Sequence, residues 1–184
     1  MKDIELRTAD FQREGQKIKG YAVRWMDESH LLFGEFRERF AQKAFNQYLS
    51  TSPDVRFLFE HQFSALLGRT TSKTLLVEED DTGLRFELNI PDIQIGRDAA
   101  TMIDRGDITG VSFGFRALSD EWITASTPYL RTVLTAELSE ISLTSVPAYP
   151  TSSVEIAHRS LFSQHPELRR AGDNRRRWAD LAGL

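Results

Sequence analysis

A two-residue alternation of apolar and polar positions runs through most of the chain up to Val146, and it predicts strands. Glu5 to Phe11 and Lys17 to Trp25 flank the polar Arg13-Glu14-Gly15-Gln16, which predicts a hairpin. Val55 to Glu60, Thr74 to Glu79 and Leu84 to Ile90 are rich in branched and aromatic residues, and Asp80-Asp81-Thr82-Gly83 supplies a turn between the last two. Ile108 to Ala117, Tyr129 to Ala136 and Leu138 to Val146 continue the pattern. Two segments carry a helical period instead. Phe40 to Leu49 places Phe40, Ala44, Phe45 and Tyr48 on one face, and Gln94 to Arg105 ends at Gly106, a natural C-terminal stop. Roughly seven strands with intervening helices predict a mainly-β (α+β) fold, a closed or nearly closed β-barrel decorated by helices.

From Ala157 onward the chain turns polar and Arg-rich, and Pro166 and Gly172 interrupt any helix. The expected organisation is therefore a barrel domain over residues 1–157 and a tail over 158–184, a short helix followed by flexible sequence. The 184 residues suit one domain with a core. The net charge of -4 is unevenly spread: six arginines against Glu167, Asp173 and Asp180 leave +3 on the tail, so the body carries -7. An acidic body argues against nucleic acid as a partner and leaves the basic tail as a contact surface. No apolar stretch approaches the roughly 20 residues that cross a bilayer, and the first residues lack the apolar core of a secretion signal. With no cysteine, disulfides, thiolate metal sites and cysteine nucleophiles are excluded, and a reducing intracellular setting fits.

Candidate chemistry is sparse. His30 lies in a polar loop, and His158 and His165 fall in the tail. His61 follows the apolar run Val55-Arg56-Phe57-Leu58-Phe59-Glu60, and strand parity would put it on the face of Phe57 and Phe59. It reads either as a satisfied strand-end histidine or as a general base. In Gly110-Val111-Ser112-Phe113-Gly114-Phe115, parity separates Ser112 and Gly114 from the apolar Val111, Phe113 and Phe115. Flanking glycines would give Ser112 open space for a substrate backbone; the alternative is close sheet packing with an incidental serine. The Gly-x-Ser-x-Gly spacing matches a nucleophile elbow, but no helix comes after it to receive that turn. In Ser139-Glu140-Ile141-Ser142-Leu143-Thr144-Ser145, the carboxylate of Glu140 lies on the polar face, as a solvated glutamate or as a group that orients a histidine. Glu137 has the opposite parity. No metal-ligand spacing or phosphate loop is present, so no cofactor is expected. Glu78 to Asp81 read as a turn rather than a cation site.

The ordered set of these motifs resembles the tailed-bacteriophage (caudovirus) prohead serine protease family, itself similar in fold to the herpesvirus capsid-maturation proteases. The matching elements are Gly20-Tyr21-Ala22-Val23, Glu38-Arg39-Phe40 leading to Ala44-Phe45, Glu60-His61, Leu67-Gly68-Arg69 and Glu79 to Leu84. Further on come Gly96-Arg97-Asp98, Gly106 to Phe115, Leu138 to Leu143 and Val146-Pro147-Ala148-Tyr149-Pro150. The resemblance covers roughly Ile18 to Val154 and leaves out the tail. It implies that Ser112 is the nucleophile and His61 its general base. Glu140 falls where the herpesvirus enzymes carry a second histidine, so it takes the orienting role. Gln62 stands where the family often has Asp, and Lys43 where it often has Gly. The herpesvirus oxyanion arginine pair is missing after Val146.

The resemblance implies a serine endopeptidase of capsid maturation, working by an acyl-enzyme route in the host cytoplasm inside the assembling prohead. Its implied substrates are the scaffold segment, the amino-terminal region of the major capsid protein and the protease itself. Self-association as a homodimer or higher is implied too, with no membrane or nucleic-acid partner. Two rivals stand beside this reading: a catalytically silent capsid-assembly or scaffold-docking protein on the same fold, and a different hydrolase such as an esterase.

Overall fold

Strand alternation builds a single sheet. The computed structural model describes residues 4–145 and 151–168. Its elements are β1 (Glu5–Glu14), β2 (Lys17–Arg24), β3 (Phe36–Phe40), α1 (Asn46–Leu49), β4 (Arg56–Phe59), β5 (Gln62–Arg69), β6 (Leu75–Glu79) and β7 (Gly83–Asn89). α2 (Gln94–Arg105), β8 (Gly110–Ile123), β9 (Tyr129–Thr144), α3 (Thr151–Gln164) and a 3-10 turn (Pro166–Leu168) complete them. Eight strands run in the order β5-β4-β9-β8-β1-β2-β7-β6, and β3 pairs with β9 off this path. The sheet curls into a nearly closed barrel, the mainly-β architecture that the alternation predicts.

The hairpin of β1 and β2, the hairpin of β6 and β7, and α2 lie where the sequence places them. Gly106 adopts φ 79° and ends α2, its N–H donating to Ile103 O and that of Asp107 to Met102 O, which closes the helix. Other elements differ from expectation, each for a local reason. Phe40 ends β3 opposite Val133, and Lys43 takes φ 62°, so helix persists only over Asn46–Leu49. Ala44 and Phe45 still enter the core. The two strands expected on either side of Glu137 are one continuous β9, so the strand total reaches nine through β3 and β5.

β9 organises the molecule. One edge pairs antiparallel with β8 along almost its whole length; the other takes β3 over Tyr129–Val133 and β4 over Glu140–Leu143, both parallel. Inside the barrel, Phe40, Phe57, Phe86, Phe113, Phe115, Ile141 and Leu143 form the main core. A smaller cluster of Leu32, Phe36, Trp122, Ala157 and Leu161 seats α3 against the barrel. The expected boundary at residue 157 therefore falls inside α3. His158, expected away from any packed site, is buried, with its Nε2 2.6 Å from Glu35 Oε2. The arginine run at 175–177 lies outside the described residues.

Between the two cores sits a buried ion cluster that alternation does not foresee. Glu38 separates Phe36 from Phe40 along β3. Its Oε2 accepts from Arg7 Nη2 at 2.9 Å and from Arg131 Nη1 at 2.8 Å, while Arg131 Nε reaches Asp120 Oδ2 at 2.6 Å. Glu5 Oε2 joins through both arginines. Burial alone would pull Arg131 down, but Glu38, Glu5 and Asp120 outweigh it and hold the guanidinium charged. Burial pushes Glu5 up against the pull of Arg131.

Candidate active site

The turn between β4 and β5 aims His61. Glu60 and His61 take φ 49° and 57°, a backbone region that costs a residue with a side chain on the order of 1–3 kcal/mol. Glu60 holds the turn in place. Its N–H donates to Leu143 O at 2.8 Å, and its carboxylate accepts from Ser145 N at 2.8 Å and Thr144 Oγ1 at 3.2 Å. The positive φ values take His61 out of strand parity. It leaves the face of Phe57, which corrects the expectation that it shares a side with that core residue, and crosses to the outer face of β9.

There its Nδ1 lies 2.8 Å from Glu140 Oε1, so the assigned geometry has Nδ1–H donating to the carboxylate. That hydrogen bond raises the His61 pKa above its ordinary value; partial burial opposes the rise, and the charges of Glu140 and Glu60 reinforce it. The second oxygen of Glu140, Oε2, accepts from Ser142 Oγ. Gly114 lies opposite Glu140 in the ladder. A Cβ on Gly114 would come within 3.3 Å of Glu140 Oε1, 3.1 Å of Leu6 Cδ2 and 3.2 Å of Ile4 Cγ2. The glycine thus makes room for the carboxylate and two aliphatic side chains, not for the open space that the glycine spacing suggests.

A bulge decides which face Glu140 occupies. The β8–β9 register passes from Gly114↔Glu140 to Phe115↔Leu138 and skips Ser139. Leu138 consequently points inward with Phe115, and Glu140 points outward with Gly114. Because the bulge inverts parity, Glu137 shares the outer face as well, against the expectation of opposite sides. It is occupied there by Arg116, 2.8 Å away.

Ser112 stands on the same outer face, paired in register with Ser142 on β9 and Thr8 on β1. It is completely buried. Its Oγ has no hydrogen-bond partner among the described residues, and neither does the buried Nε2 of His61. The structure therefore joins His61 to Glu140 and brings Ser112 to the neighbouring strand without a Ser112–His61 hydrogen bond.

A model of the caudovirus prohead serine protease family matches residues 2–165 of the 184. The chain belongs to that family. No curated protein and no solved structure matches it. A serine peptidase works with a hydroxyl, a base and an orienting group near one another; here Ser112 on β8 and Glu140 on β9 share the outer face, and His61 reaches Glu140 from the β4–β5 turn. A recess of about 630 Å³, lined chiefly by β1, β2 and β7, includes none of Ser112, His61 or Glu140.

Three neighbours of the site are not evident from sequence alone. Ser142 reads there as a polar-face residue but not as a partner of Glu140. Arg56 pairs in register with Glu140, and its guanidinium lies 5.8 Å from the ring of Phe63, which is 68% exposed. Phe63 sits two residues beyond His61, and an aromatic at that spacing is the available signal. The Pro147-Ala148-Tyr149-Pro150 segment lies outside the described residues. Among the described residues no cluster of ligand-type side chains could hold a metal. Asp80 uses its carboxylate within its own turn, accepting from Thr82 N at 2.7 Å and Gly83 N at 3.0 Å.

Proposed function

We propose that this family member is a serine endopeptidase of capsid maturation with Ser112 as nucleophile, His61 as general base and Glu140 as the group that orients His61. The observation that carries the reading is the His61–Glu140 hydrogen bond. With Nδ1 assigned as the protonated nitrogen facing the carboxylate, Nε2, which has no partner among the described residues, is left as the acceptor that a base needs. In the acylation step Ser112 Oγ bonds to the substrate carbonyl carbon and its proton passes to His61 Nε2. As the C–N bond breaks, that proton goes to the leaving amine. Water, deprotonated by the same nitrogen, then attacks the ester and regenerates Ser112. Glu140 favours the imidazolium formed at each step.

Both reacting atoms are buried, so acylation requires the groups covering them to move when substrate binds; hydrogen bonds of this kind commonly tighten only in the complex. The exposed Phe63 and the adjacent Arg56 offer an extended polypeptide a landing surface beside the base. We assign as substrates the scaffold segment, the amino-terminal region of the major capsid protein and the protease itself, cleaved inside the assembling prohead in the host cytoplasm. Self-association as a homodimer or higher is part of the same reading and rests on the family resemblance.

Co-expression with the cognate capsid protein tests the assignment. Wild-type enzyme should lower the mass of the capsid protein, and Ser112→Ala should not. Unchanged mass with both enzymes, together with no fluorophosphonate labelling at Ser112, would establish the silent docking protein instead. Labelling with ester hydrolysis but intact capsid and scaffold proteins would establish a different hydrolase.

A further inference from the structure

We propose that Ser142 is a positioning residue that locks the Glu140 carboxylate in the orientation His61 requires, acting on the base only through Glu140. The inference rests on the assignment of Ser112, His61 and Glu140 as the reacting set. A glutamate side chain ends in a broad, roughly two-fold torsion, so a carboxylate held by one oxygen can swing about it. Here each oxygen has its own donor: Oε1 takes His61 Nδ1 from the β4–β5 turn, and Oε2 takes Ser142 Oγ from the strand that carries Glu140 itself. A spacing of two residues puts Glu140 and Ser142 side by side on one face of β9.

An incidental strand serine would be expected to seek a backbone group or solvent. Here its partner is neither of these. Ser142 is completely buried, and β9 is flanked at this point by β4 on one edge and β8 on the other, which commits its backbone groups to ladders. Its lateral neighbours are Leu58, which offers no polar side-chain atom, and Ser112. The hydroxyl is spent on Glu140, and without it Glu140 Oε2 would be a buried acceptor lacking a donor. Rotation of the carboxylate towards another donor would then move Oε1 off the imidazole. A displacement of about 1 Å in such a constellation costs roughly 100-fold in rate.

The test uses the full chain and the rate of fluorophosphonate labelling at Ser112 as a function of pH. Rates are normalised to labelling-competent sites, so that partial unfolding of a variant does not register as slow chemistry. Ser142→Ala should slow labelling about 10- to 100-fold and move the acid limb of the profile to lower pH, because the hydrogen bond that raises His61 is weakened. Ser142→Thr, which keeps the hydroxyl, should stay within about threefold of wild type. In a Glu140→Gln background, adding Ser142→Ala should bring little further loss, since both changes act through one group. The inference is overturned if Ser142→Ala labels within about threefold of wild type with an unmoved acid limb, or if its full effect persists in the Glu140→Gln background. Wild-type protein that never labels at Ser112 removes the site assignment itself, a different failure from normal labelling that ignores Ser142.

Discussion

Replacing Glu140 by Gln removes a charge while nearly preserving shape, so it isolates the electrostatic role of that residue. In the proposed mechanism His61 becomes an imidazolium when it accepts the Ser112 proton, and its Nδ1 lies 2.8 Å from Glu140 Oε1. At an effective dielectric of about 20, a unit charge pair at that separation is worth about 6 kcal/mol. The half-buried ring recovers part of this by hydration once the carboxylate is gone, which leaves about 4–5 kcal/mol, or roughly a 10³-fold or greater loss in acylation rate. An amide can still accept from Nδ1–H, so the tautomer survives in part and the loss stays below that of removing Ser112 or His61. The pH profile carries a second, independent signature. His61 must be neutral to act as a base, and Glu140 raises its pKa, so the wild-type acid limb lies above the ordinary histidine value of about 6.5. In Glu140→Gln the limb should shift towards lower pH even as the plateau falls. Both are read from the pH dependence of fluorophosphonate labelling and of capsid-protein cleavage. A variant that keeps more than a third of wild-type activity, with its acid limb in place, would refute the orienting role of Glu140.

The same geometry predicts three further outcomes. Gly114→Ala should destabilise the fold by about 1–3 kcal/mol, measured by urea denaturation, and also impair labelling, because its Cβ crowds Leu6, Ile4 and the Glu140 carboxylate together; unchanged stability with full activity would show that the strand yields freely. Arg131→Met should cost about 3–5 kcal/mol, since Glu5, Glu38 and Asp120 lose a shared buried cation, and a denaturation midpoint close to wild type would contradict the cluster. The raised His61 pKa makes a stabilising contribution that is fully present below about pH 6.5 and fades as pH rises through the higher folded-state value. The stability difference between wild type and His61→Gln should therefore shrink on raising the pH across that window, and a difference that grows would reverse the sign of the linkage.

Strand alternation locates β1, β2, β6 and β7 because their turns carry strong local signals: Gly15 at φ 60° in one hairpin, and Asp80 folding its side chain onto its own turn in the other. It does not locate β3. Phe36-Arg37-Glu38-Arg39-Phe40 looks too charged for an interior strand, and its legitimacy depends on Arg7 and Arg131 arriving from distant positions to meet Glu38. β5 escapes for another reason: its pairing with β4 shifts register twice, and its burial shows no clean period of two. For β3 the stabilising contacts lie outside any local window, whereas β5 pairs with its own neighbour β4 but in a register too irregular to read as alternation.

The site shows the same division between local and distant information. Motif spacing and polar parity bring Ser112, His61 and Glu140 forward as candidates, but three of the supporting reasons fail against the structure: Ser112 is buried rather than set in open space, and both parity arguments break down. His61 reaches Glu140 because two consecutive positive φ values break strand parity, and Glu137 shares its face because a bulge at Ser139 inverts parity within β9. A period-two reading can place side chains correctly only between such irregularities, and here both irregularities sit at the candidate site. Without the bulge, Leu138 and Glu140 would share a face: either the main core would lose Leu138 or it would receive a buried carboxylate with no donor. The skipped residue lets Phe113, Phe115, Leu138 and Ile141 all face inward while Glu140 and Ser142 face outward beside Ser112. The same strand pair thereby closes the barrel core on one side and gathers the candidate side chains on the other, so one departure from regular alternation serves both the packing of the core and the proposed site.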